Sequence, residues 1–103
     1  MIPPAGWQNP ITTPAGQMQT GVDPRLLLPG RHDLNRVRLE FQRSLQQAGQ
    51  KRYTPIRVTR GGVIYDGHHA VRAAAEDGRT VDVLVVGINA APTAASILDL
   101  PVR

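Results

Sequence analysis

The stretch Thr54-Pro55-Ile56-Arg57-Val58-Thr59-Arg60-Gly61-Gly62-Val63-Ile64-Tyr65-Asp66-Gly67-His68-His69-Ala70-Val71-Arg72-Ala73-Ala74 decides the fold of this 103-residue chain. Pro55 restarts the backbone in an extended form, and Ile56 and Val58 alternate with Arg57 and Thr59 at the period of a half-buried strand. Arg60-Gly61-Gly62 supplies a tight turn and Val63-Ile64-Tyr65 returns, so the segment predicts a β-hairpin. The second strand ends at Asp66-Gly67. A helix is expected from His68 to about Asp77, stopped by Gly78.

Beyond it, Val81–Val86 is nearly all apolar and reads as a strand buried on both faces. Upstream, Leu34, Val37, Phe41, Leu45 and Ala48 fall at steps of three and four, the stripe of an amphipathic helix. Asp33 is its expected N-cap and Gly49 its stop, with Arg36, Arg38 and Arg43 off the stripe and exposed. Val22–Leu28 reads as a short strand closed by Pro29-Gly30. Residues 1–20 hold four prolines and almost no charge, and read as an extended arm or linker anchored by Trp7. The Ala-rich tail from Asn89 to Leu100 predicts a last short helix. The expectation is an α+β domain over residues 21–103, a small mixed sheet with a β-hairpin and two to three packed helices.

Composition narrows the chemistry. With 41% apolar residues but only 4% aromatic, one core must be packed from Leu, Val, Ile and Ala. Zero cysteines exclude disulfides, thiolate metal sites and cysteine nucleophiles. No apolar run approaches the ~20 residues that span a bilayer, and no signal peptide is read at the N-terminus. The expected setting is the cytoplasm, or export as part of a larger toxin. The net charge of +4 is unevenly spread. Ten basic residues against three acids lie between Arg25 and Arg72, and two against five elsewhere. Eleven of the twelve cations are arginines, suited to forked contacts with phosphate or carboxylate, so the basic half points to a polyanion. An Arg-rich solvated surface is the plainer alternative.

The strand–Asp-Gly–helix junction carries the chemistry. A helix start presents unpaired N–H groups and roughly half a positive charge to an anion. Gly67 admits close backbone approach, and Asp66 is placed to cap the helix. At about 100° per residue, His68, His69 and Arg72 fall within one arc of the first turn, away from Val71, Ala74 and Ala75. Two imidazoles and a guanidinium on an exposed shoulder would hold phosphate oxygens and shuttle protons near neutral pH. A plain turn-and-cap with incidental surface histidines is the competing reading. Adjacent histidines diverge on a helix, so no metal site is assigned.

The order hairpin, Asp66-Gly67-His68-His69, Arg72-Ala73-Ala74, Gly78 and Val81-Asp82-Val83 resembles the ParB/sulfiredoxin superfamily, the ParB-like nuclease domains. Leu27-Leu28-Pro29 and the helix after it are similar to that family's opening, so the resemblance covers roughly residues 22–86. It implies a site whose backbone and side chains contact nucleotide or nucleic-acid phosphates. Chromosome-segregation members carry Gly-Glu-Arg-Arg and a further Arg; here Gly67 and Arg72 keep their places, and His68, His69 and Ala70 replace the three between. The sulfiredoxin branch needs a cysteine and is excluded.

The expectation that follows is a domain acting on nucleic acid as a nuclease or nuclease-toxin module. Gly67 and Arg72 would hold the phosphate, His68 or His69 would serve as general base or acid, and Asp66 would orient the turn or a divalent ion. Arg31, Arg36, Arg57 and Arg60 would track the backbone. The cofactor is open, with Mg²⁺ or a nucleotide as the choices. The alternatives are a non-enzymatic nucleotide- or DNA-binding adaptor, which Ala70 favours, and a small-molecule phosphotransferase with Asp33, Glu40 or Asp66 as base. A partner protein would be reached through the Pro-rich arm or the Ala-rich tail.

Overall fold

A computed structural model describes residues 2–50 and 54–103. Lys51 and Arg52, two cations of the basic half, lie outside the described residues. The architecture is α+β: a four-stranded mixed sheet with two α-helices. Strand β1 (Met18–Val22) is followed by helix α1 (Arg36–Gln47), the hairpin β2 (Ile56–Thr59) and β3 (Ile64–Asp66), helix α2 (His68–Glu76) and β4 (Val81–Val86). Short 3₁₀ turns at Pro24–Leu26 and Ile97–Asp99 complete it.

The spatial strand order is β1-β4-β2-β3. β2 and β4 run parallel, joined through α2, while β1–β4 and β2–β3 are antiparallel. In β4, Val81, Val83 and Val85 are buried, but Asp82 is exposed and Leu84 and Val86 only half-buried. The strand therefore alternates instead of being buried on both faces. The tight turn of the hairpin forms as read, with the Thr59 N–H donating to Val63 O at 2.9 Å and the Gly62 N–H to Thr59 O at 3.0 Å.

Helix α2 is the buried pivot. Seven of its nine residues are buried, because the sheet, α1 and the 3₁₀ turn Ile97–Asp99 all pack on it. Its small alanines allow that close approach. Helix α1 forms where the periodicity puts it but begins later and is turned. Asn35, not Asp33, caps it, accepting the Arg38 N–H at 3.0 Å. Leu34 is held out of the helix by the tail: its N–H donates to Pro101 O at 2.9 Å and its carbonyl accepts the Arg103 N–H at 2.8 Å. α1 buries Leu39 (0% exposed), whereas Val37 and Phe41 of the expected core stripe are 75% and 60% exposed. Of that stripe Leu34 is buried and Leu45 half-buried, while Val37 and Phe41 face outward because α1 packs chiefly on α2, the side on which Leu39 lies. Arg43, expected to be free on the surface, is half-buried against α2, where Glu76 accepts from it at 2.8 and 2.7 Å.

The predicted strand over Val22–Leu28 is instead a 3₁₀ turn. Pro24 at its start lacks a ladder donor, and Asp23 caps it by accepting the Arg25 N–H. Leu28 alone bridges to Val63. The Pro-rich segment is stitched to the domain and runs into β1. Trp7 donates to Leu26 O at 2.8 Å, Asn9 to Arg60 O at 2.7 Å, and Ile11 is buried. The expected C-terminal helix shrinks to Ile97–Asp99, since Thr93 is tied to the carbonyls of Pro29 and Arg31 and the last three residues pair with Leu34–Arg36. No helix among the described residues is long and apolar enough to cross a membrane.

Candidate functional site

Where β3 hands over to α2, the surface opens into a cleft of about 600 Å³. Its walls are the loop at Gly30-Arg31, the outer face of α1 (Val37, Arg38, Phe41, Gln42) and the junction Tyr65–His69. Gly67 caps α2 in the left-handed conformation (φ 98°), which explains why glycine stands there. Being glycine, the N-cap offers no side chain of its own to this helix start. Asp66, expected as the cap, instead pairs its carboxylate with Arg57 on β2 at 3.3 Å, with both side chains partly exposed. Asp66 is the one acidic residue lining the cleft, and Arg57 offsets its charge.

Both imidazoles are buried, not displayed on a shoulder: His68 is 7% and His69 9% exposed. The His68 Nε2 accepts the Gly30 N–H at 2.9 Å, and the His69 Nε2 accepts the Asn35 N–H at 2.9 Å. Adjacent histidines on one helix thus hold the two ends of the segment 30–35 above them. Gly30 must be glycine, because a Cβ there would stand 2.8 Å from Ile64 O. Accepting at Nε2 puts the proton of each neutral ring on Nδ1. Burial, helped by Arg31 and then His69 and opposed by Asp66, pulls the His68 pKa down to about 4. With the Nε2 of each ring engaged by a backbone N–H, both residues position the segment 30–35, and the expectation of two imidazoles displayed on an exposed shoulder is corrected.

That buried ring makes stability depend on pH. A folded-state pKa below the ordinary 6.5 means that the unfolded chain binds the proton first. The contribution is complete above about pH 6.5 and is lost as pH falls toward 4, by up to about 3 kcal/mol. Urea unfolding at pH 7.5, 6 and 5 should show this decline. His68→Gln, which offers an oxygen near the Nε2 position without titrating, should flatten it. An unchanged decline in that variant would place its origin elsewhere.

Arg72 is likewise diverted. It pairs with Glu76 at 2.9 Å and donates to Ile97 O at 3.1 Å and Leu100 O at 2.9 Å, with a side chain 14% exposed. The expected phosphate fork is spent on fastening the tail, since Arg72, the fifth residue of α2, reaches the segment 97–100 and does not line the cleft. Of the four arginines expected to follow a nucleic-acid backbone, Arg31 lines the cleft, 3.7 Å from Asp33. Arg36 is exposed at the start of α1, Arg57 is engaged with Asp66, and Arg60 lines a separate concavity with Ile11–Pro14.

The cleft residues that sequence reasoning missed are Arg38, Val37, Phe41 and Tyr65. One signal was available: α1 has apolar residues on opposite faces, Leu39 on one and Val37 with Phe41 on the other, so one set had to face water. Among the described residues no group of three or more His, Asp or Glu is gathered as a metal site. No family of known proteins, no curated protein and no solved structure matches the chain.

Proposed function

We propose that this is a ParB-like domain that binds nucleic-acid phosphates without cleaving them, an adaptor in preference to a nuclease. The observation that carries the reading is that Arg31 and Arg38 line one cleft together with Gly67 at the start of α2. Two guanidiniums and the positive end of a helix address an anion together. The hairpin running into a helix at Asp66-Gly67, within a mixed sheet, supports the family reading. The engagement of both Nε2 atoms by backbone N–H groups favours binding over hydrolysis.

Fluorescence anisotropy with a labelled oligonucleotide across a salt series tests it. Arg31→Ala with Arg38→Ala should weaken binding roughly tenfold or more and reduce the salt slope by about 1 to 2. Equal affinity and equal slope in the double variant would overturn the assignment of this cleft. Gel analysis of the same mixtures, with and without Mg²⁺, should show intact strands. Cleavage that persists through purification and disappears with a cleft substitution would restore the nuclease reading.

A further inference from the structure

The cleft has a second wall that phosphate binding does not use. Val37 and Phe41 stand one turn apart on α1, 75% and 60% exposed, and Tyr65 on β3 is 49% exposed; all three line the same opening as Arg31 and Arg38. Large apolar side chains held in water forgo the stabilisation that burial would return. α1 already buries Leu39 against the domain, so nothing in the fold requires this second apolar face.

We infer, on the basis of the phosphate-binding reading, that the ligand of this cleft is single-stranded nucleic acid, with an unstacked base lying against Phe41 and Tyr65 while Arg31 and Arg38 hold the adjoining phosphates. Charge selects a polyanion, and the aromatic wall selects among polyanions. A duplex keeps its bases stacked inside and offers only its phosphates and groove edges, whereas a single strand offers a π-face beside every phosphate. The opening, about 600 Å³, lies within the roughly 300–1,000 Å³ range of pockets for small molecules. That suits one splayed nucleotide. Asp66, the acid of the lining, is paired with Arg57 and so opposes an incoming phosphate less than a free carboxylate would.

The test compares four labelled probes at one salt concentration: a single-stranded DNA, the same sequence as RNA, its DNA duplex, and an abasic strand that has the phosphates but no bases. The expected result is tighter binding of single strands than of the duplex or the abasic strand, with the DNA and RNA arms identifying the sugar preferred. Phe41→Ala and Tyr65→Ala should each collapse the ratio of single-stranded to abasic affinity roughly fivefold or more. Both side chains are exposed, and unchanged thermal unfolding will show that the variants fold. Equal binding of single strand, duplex and abasic strand would overturn the inference and leave the phosphate reading standing. A single-strand preference surviving both substitutions would do the same. No binding of any probe would fell the phosphate reading itself. Self-association that Phe41→Ala abolishes would assign the wall to a second copy of the chain and overturn the inference as well.

Discussion

Replacing Leu39 by alanine is expected to cost about 3 kcal/mol of folding stability, while alanine at Val37 or Phe41 changes it by less than about 0.5 kcal/mol. Leu39 is wholly buried and is the residue through which α1 grips α2. Its truncation leaves a cavity at an interface with little else apolar, the neighbouring positions being Gln42, Arg43 and Gln46. For a domain whose total stability is on the order of 5–15 kcal/mol, that is a large share. Val37 and Phe41 already face water, so truncating them removes little buried area. Urea denaturation of the three variants at pH 7.5 measures the contrast. Should Phe41→Ala prove as damaging as Leu39→Ala, α1 is rotated to bury the stripe, and the cleft wall built on Phe41 does not exist.

Arg72→Met is expected to destabilise by about 2–4 kcal/mol and yet leave oligonucleotide affinity within roughly twofold. Methionine keeps the unbranched apolar stem but withdraws three bonds at once, those to Glu76, Ile97 O and Leu100 O. Leu100 O at a partly buried turn then loses the Arg72 donor, Ile97 O keeps only the Leu100 N–H at 3.4 Å, and Glu76 is left to Arg43, whose hydrogen bonds are the main reason the Glu76 pKa stands below the ordinary carboxylate value. The damage should spread along the tail to the pairing of residues 101–103 with Leu34–Arg36, visible as faster limited proteolysis there. A tenfold loss of affinity with stability intact would instead return Arg72 to the phosphate.

The parts legible in the sequence were those set by local chemistry. Alternation around Arg60-Gly61-Gly62 specified the hairpin, and Asp66-Gly67 before an Ala-rich run specified the start of α2. The existence of α1 was legible in its period, but its rotation was not. The periodic set includes Val37 and Phe41, yet the lone Leu39 on the opposite face is the residue buried, a choice made by the partner helix. The tail was misread for a related reason: alanines favour helix weakly, while Thr93 and the pairing with Leu34 impose an extended path from outside the segment. At the junction, the direction of the imidazoles was not legible, because it depends on a loop 34 to 38 residues away in sequence. No local pattern encodes two backbone N–H groups that happen to arrive above a helix start.

The strand order β1-β4-β2-β3 also bears on how the chain matures during synthesis. β4 is made after the other three strands of this sheet, but it is the one that joins β1 to β2. Until residue 86 has emerged, β1 has no neighbour and β2–β3 is a lone hairpin, which is marginal in water. The sheet therefore closes only once residues 18–86 have all been made, and until then the nascent segment exposes unpaired strand edges.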